Sequence, residues 1–332
     1  MKHTASLALL ICLAVPAAAQ TDLKCPELRD KVRAVRTMRM EPVRRGKEWL
    51  EGTPKSVATL SCGPDGLKTE EAEYEGKAVV LSSSFTYNGK EGTNDLCEKL
   101  LAQKDTDEAP ADAHLSVKEF CRNNLKKDIS AALVYDSSPS SQGRESAKKP
   151  VRQIFRLYGK KGLVDEEDSF DMFQSLESVT LYTYDKTGEL SGLTVKDPDG
   201  RQLKREAFAR DKATSSRTRS EYDENNELRQ KTVYELRETG ALRRETRSTY
   251  DAGDQVVART EIYSDEKGSP EKELVYDADG ADPKYEYSYA YKYDARDNWT
   301  QERKTRVIVY NGNRLADTQY APEITNRTIS YY

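Results

Sequence analysis

Polar and apolar side chains alternate with a period of two over much of this chain. The alternation is cleanest in Tyr285-Glu286-Tyr287-Ser288-Tyr289-Ala290-Tyr291-Lys292-Tyr293. A strand sends successive side chains to opposite faces, so the five tyrosines share one face of a sheet. Glu286, Ser288, Ala290 and Lys292 take the other. A helix would scatter the rings around its axis. Ser56 to Cys62, Leu67 to Tyr74 and Lys77 to Tyr87 read as strands in the same way. From Val151 onward, strands alternate with polar turns such as Tyr184-Asp185-Lys186-Thr187-Gly188, Asp197-Pro198-Asp199-Gly200, Tyr222-Asp223-Glu224-Asn225-Asn226 and Tyr276-Asp277-Ala278-Asp279-Gly280. The junctions at Tyr250, Tyr263 and Tyr276 are 13 residues apart. Asp opens each turn because its carboxylate bonds the backbone ahead. Gly or Asn closes it because a left-handed conformation is needed there. Consecutive turns then fall at opposite ends, and the chain predicts an antiparallel meander.

Two stretches break the period. Cys25 to Val35 reads as the start of a short helix with Pro26 in its first turn, and Val35 to Glu41 as extended chain. Between Thr93 and about residue 130 the spacing becomes helical. Leu96, Cys97, Leu100 and Leu101 form one apolar stripe; Val117, Phe120, Cys121 and Leu125 form a second, opened by the capping box of Ser116 and Glu119. Residues 136–150, rich in Ser, Pro and charge, read as a flexible linker or long loop. Trp49 is expected to anchor a core. The expected organisation is a signal peptide over 1–20, an N-terminal β region over 21–135 with a helical insertion at about 93–130, the linker, and a β meander over 151–332.

The signal peptide follows from Met1-Lys2-His3, an apolar run from Ala5 to Val15, and Pro16-Ala17-Ala18-Ala19-Gln20. No other long apolar run exists. The mature chain is therefore expected to be exported, periplasmic or secreted, without an integral membrane segment. Five Cys are present, and Cys12 lies in the signal segment. Cys25, Cys62, Cys97 and Cys121 remain, an even number that suits two disulfides. Three pairings are possible; Cys97–Cys121 across the two helical stripes, with Cys25–Cys62, is preferred. Charged residues make up 33% of the chain and the hydrophobic set 36%, with 20 Tyr against 6 Phe. That is too polar for a thick core and too rich in Tyr for disorder throughout. The formal net charge is −4 with acids and bases interleaved, which gives no field for nucleic acid.

The pattern Tyr184-Asp185-Lys186-Thr187-Gly188-Glu189-Leu190 resembles the YD repeat of bacterial Rhs-type proteins. Tyr291-Lys292-Tyr293-Asp294-Ala295-Arg296-Asp297-Asn298-Trp299-Thr300 is similar to the closing repeat of short exported YD-repeat proteins, and Arg327 to Tyr332 to their ending. The resemblance covers about Leu181 to Tyr332. It implies an open, curved sheet of stacked hairpins, so the fold expected is mainly β, with a small helical insertion.

Catalytic parts are few. Only two His exist, His3 in the signal segment and His114, and a lone His near a helix start most often faces solvent. No serine-hydrolase, zinc-protease or phosphate-loop motif is present. No cofactor or metal is expected: Asp197-Pro198-Asp199-Gly200 and Asp277-Ala278-Asp279-Gly280 read as turns and not as calcium loops. Tyr287 and Tyr289 offer rigid amphipathic area and form the candidate binding face, although packing within the sheet is the favoured reason for them. The resulting expectation is a non-enzymatic structural or binding protein of the cell envelope with a protein or glycan partner. It would be able to self-associate through an open sheet edge. The alternative is a carboxylate-dependent hydrolase of envelope glycan.

Overall fold

The computed structural model describes residues 25, 28, 30–75, 78–87, 95–102, 115–136, 150–159, 162–239, 242–278, 280, 282–310 and 313–332. The signal segment, His114 and most of the expected linker lie outside these residues. The elements begin with β1 (Val32–Met40), β2 (Val43–Arg45), β3 (Glu48–Leu50), β4 (Pro54–Cys62), β5 (Lys68–Glu75) and β6 (Ala78–Tyr87). Two helices follow, α1 (Asp95–Ala102) and α2 (Val117–Asn124). Then come β7 (Asp128–Asp136), β8 (Arg152–Tyr158), β9 (Val164–Asp171), β10 (Leu176–Tyr184), β11 (Leu190–Lys196), β12 (Gln202–Asp211), β13 (Ser216–Tyr222) and β14 (Leu228–Thr239). The chain ends with β15 (Leu242–Tyr250), β16 (Val256–Ser264), β17 (Pro270–Tyr276), β18 (Tyr285–Tyr293), β19 (Trp299–Tyr310), β20 (Asn313–Ala316) and β21 (Glu323–Tyr331).

A single turn design joins many of these strands. In the β10–β11 turn the Asp185 amide donates to the Glu189 carbonyl at 2.8 Å, and the Gly188 amide to the Asp185 carbonyl at 3.1 Å. The Asp185 carboxylate accepts from the Thr187 and Glu189 amides at 2.8 and 2.9 Å. The same backbone closure recurs at Asp197–Arg201, Asp223–Glu227, Asp251–Gln255, Asp265–Ser269 and Asp294–Asn298. The fourth residue is left-handed each time, and it is Gly188, Gly200, Asn226, Asp254, Gly268 or Asp297. Gly253 and Asn298, expected from the sequence to close their turns, stand one position away from the left-handed residue. The ladder slips by one residue beside each turn, as at Thr183/Tyr184, which is a bulge that tightens the strand twist.

From β4 to β19 each strand pairs antiparallel with the next in sequence. β21 then leaves β19 and pairs with β1, and β1 pairs with β4. The sheet is thereby closed into an antiparallel barrel of 18 strands, with β20 a short extra strand on β19. This overturns the expected open, curved meander. The seam is the reason. β1 occupies much of the segment read as helix and extended chain, and it is held on both sides by strands far away in sequence. A closed ring has no free edge. Self-association through an open edge is therefore withdrawn, and with it the YD-repeat sheet that the resemblance implied.

The registers carry one set of side chains right round the ring on a single face, here called the tyrosine face. It includes Glu167, Glu206, Arg219, Arg247, Glu273, Tyr287, Tyr289, Lys304 and Arg327. The opposite face carries Ala72, Leu133, Leu181, Ala207, Val233, Leu274 and Ala290.

The helix pair lies on the opposite face over β7, β8 and β9. Cys97 is bonded to Cys121, joining α1 to α2. Ser116 caps α2, its hydroxyl accepting from the Glu119 amide while Glu119 accepts from the Ser116 amide at 2.9 Å. The anchor is Phe120, whose ring lies 5.0 Å from Phe155 and 5.7 Å from Phe170, all three fully buried. A second disulfide, Cys25–Cys62, ties the start of the described chain beside Val35, Leu60 and Ile329 on the tyrosine face. Trp49, expected in a core, sits instead in the β2–β3 hairpin. Its indole N–H donates to the Thr318 carbonyl at 2.9 Å.

Candidate functional site

Closure makes a bore, and one face of the ring must line it. On the tyrosine face several mid-strand positions are charged and cross-linked. Arg156 meets Glu167 at 2.6 Å, and the Arg219 guanidinium grips Glu206 in a fork at 2.8 and 3.0 Å. Lys304 reaches Glu273 at 2.9 Å across the intervening β18. These pairs alternate with aromatic rings, and the Lys304 ammonium lies 4.4 Å from the Tyr287 ring and 5.6 Å from that of Tyr289.

The candidate binding pair is built into this wall. The Tyr289 hydroxyl donates to Glu273, and its ring lies 6.4 Å from that of Tyr291 and parallel to it within 6°. The Tyr291 hydroxyl donates to Glu302 at 3.2 Å. Tyr287 and Tyr289 are half-buried. Both rings and the Tyr289 hydroxyl are thus taken up by neighbours. The carboxylates beside the row are engaged too, Glu273 by Tyr289 and Lys304 and Glu302 by Tyr291. Among the described residues no group of three or more His, Cys, Asp or Glu could hold a metal ion.

On the opposite face, cations pair with tyrosines at the strand ends. Arg205 lies 3.7 Å from its cross-strand partner ring Tyr222, Lys231 4.4 Å from Tyr250, and Arg259 3.9 Å from Tyr276. All three pairs sit at the same end of the barrel, beside the turns that follow β13, β15 and β17. At the other end Lys272 lies 4.1 Å from Tyr263. The sequence places a tyrosine at each of these junctions, but not on which face it falls. That depends on the bulge in each ladder.

A basic cluster went unnoticed in the sequence. Arg210 and Arg217 stand directly opposite one another on β12 and β13. The signal was available in the alternation of Arg217 with Arg219 in Ser216-Arg217-Thr218-Arg219, which puts both on one face.

The fold defines a class, the closed antiparallel β-barrel. No known protein family matches the chain, and no curated protein does. Among solved structures it is similar to a porin-like protein from Bacteroides uniformis, with 10% identity over 90% of this chain and 98% of that one and a TM-score of 0.39. It is also similar to a protein of unknown function from Bacteroides fragilis, with 13% identity over 40% of this chain and 95% of that one and a TM-score of 0.24. Scores this low carry no argument, and the barrel rests on the chain's own pairing. That pairing corrects the expected location as well. A soluble periplasmic or secreted protein was inferred from the lack of a long apolar run. None of the described helices is long and apolar enough to cross a membrane. Barrels cross with strands, so the run has no bearing on the question.

Proposed function

We propose that the protein is a non-catalytic barrel conduit for small hydrophilic solutes, with the tyrosine face lining the bore and the opposite face turned to lipid. The observation that carries this reading is the closure of the ring around a face lined with paired charges and tyrosines. A membrane barrel needs a polar interior and a less polar outer band with aromatic residues at its rims. The tyrosine face supplies the first. The small and apolar mid-strand residues of the opposite face, with the tyrosine–cation pairs at its ends, suit the second; Lys and Arg at such rims reach toward the headgroups. Arg36, Asp168, Glu235, Glu261 and Arg303 lie nearer the middle of this face; an arginine there costs about 2–4 kcal/mol if it meets the bilayer midplane, and an acid less. Arg303 is partly offset, donating to the Trp49 carbonyl at 3.0 Å. On this reading the α1–α2 pair lies on the outer wall, on the face that carries the buried Asp168 opposite Phe155.

Conductance across planar lipid bilayers tests the reading, alongside swelling of liposomes in sugars of increasing size. Discrete conductance steps and swelling that falls with sugar size are expected. Folded protein that stays wholly in the aqueous phase and passes no current overturns the proposal.

A further inference from the structure

We propose that the Arg210–Arg217 cluster is a binding site for a small organic anion, one with a carboxylate or phosphate group on an aromatic or apolar body. The two arginines are cross-strand partners on the tyrosine face, an arrangement that repels unless something neutralises it. Glu189 pairs with Arg210 at 2.6 Å, in an exposed bridge that only partly offsets its charge. Glu206 and Glu221 hold Arg219, at 2.8 and 3.4 Å. No carboxylate reaches Arg217 among the described residues, and no ring is stacked on it. It remains a half-buried guanidinium between two other arginines.

The surroundings give the ligand its shape. Arg210, Arg217, Arg219, Phe208, Tyr234 and Ser191 line one open depression near the end of the barrel, and the carboxylates of Asp185 and Glu189 line it too; Glu189 is taken up by Arg210 and Asp185 by its own turn. Phe208 pairs with Arg219, and Tyr234 with Arg217, so an aromatic side chain flanks the basic group on each side along the sheet. A guanidinium presents a planar fork that matches two oxygens of a carboxylate or phosphate. An anion seated there would bond Arg217 and relieve its repulsion with Arg210. Its apolar part would lie between Phe208 and Tyr234. The site stands whether or not the barrel conducts.

Isothermal titration of the purified full chain with inorganic phosphate and with benzoate tests this in solution, with no bilayer involved. Saturable binding at one site is expected, with benzoate tighter than phosphate. Arg217→Gln should weaken it at least fivefold, while Arg217→Lys keeps part of it. Without any anion, Arg217→Gln should melt at a higher temperature than the parent, because the repulsion is gone; a merely structural arginine would lower it. Folding of each variant is checked by circular dichroism. The proposal is overturned if the folded parent binds neither probe saturably, or if Arg217→Gln binds as the parent does.

Discussion

The fourth residue of each Asp-opened turn shows how local chemistry builds this molecule. At Gly188 the backbone has a φ of +88°, and an added Cβ would find its nearest neighbour, Leu163 Cδ1, at 3.9 Å. Space is therefore no obstacle; conformation is. Gly188→Ala should cost about 1–2 kcal/mol, the usual penalty for a side chain in the left-handed region, measured by urea unfolding. The turn aspartates are legible in the sequence because their bonding is local. Thr187 holds the Asp185 carboxyl below its ordinary range, chiefly through its hydroxyl, with the Thr187 and Glu189 amides adding to the effect. The Glu227 amide does the same for Asp223, and the Tyr331 hydroxyl for Asp294. A carboxyl with a depressed folded pKa stabilises above its unfolded value, near about 3.9, and the gain is lost as pH falls through the folded value. Stability by urea unfolding should thus hold from neutral pH to about 4 and drop steeply below it. Asp185→Asn should flatten part of that drop.

At the scale of elements, strand and helix types were readable wherever the period was regular. The helical stripes and the capping box gave α2, and β18 was plain from its tyrosines. β1 was missed, because Pro26 and a charged, weakly alternating stretch resemble a helix start. What makes β1 a strand is the pair of ladders on its two sides. The α1–α2 pair is a separable layer, held by the Cys97–Cys121 bond and by Phe120 against Phe155 and Phe170. Phe120→Ala should cost about 3–5 kcal/mol by leaving a hole among three fully buried rings. Hydrogen exchange should quicken in α2 and leave the β14–β15 ladder unchanged. Exchange that rises equally in both would mean that the helix pair and the barrel unfold as one unit.

For the whole molecule, the decisive element is the seam. Removing the chain through Met40 should leave β21 and β4 with unpaired edges, since both have β1 as a partner. Such edges template association between chains. The truncated protein should elute as large assemblies in size-exclusion chromatography with light scattering, while the parent runs as a single species. A monodisperse truncation with the parent's circular dichroism would show that β1 does not close the ring.

The sequence by itself determined most of the strands, the turns between them and the two helices that interrupt them, but not β1. Each of these is fixed by residues within a few positions of one another, as in Asp185 to Glu189. It also supplied the tyrosine row. It did not determine whether the sheet is open or closed, because a hairpin has the same local bonds in either case. Closure depends on Val35 meeting both Leu60 and Ile329 across the seam. Arg217 faces Arg210 across the β12–β13 hairpin, where the short turn sets the register, so that pair is local too. Only the tertiary structure decided the contacts at the seam, and the proposed bore is built from them.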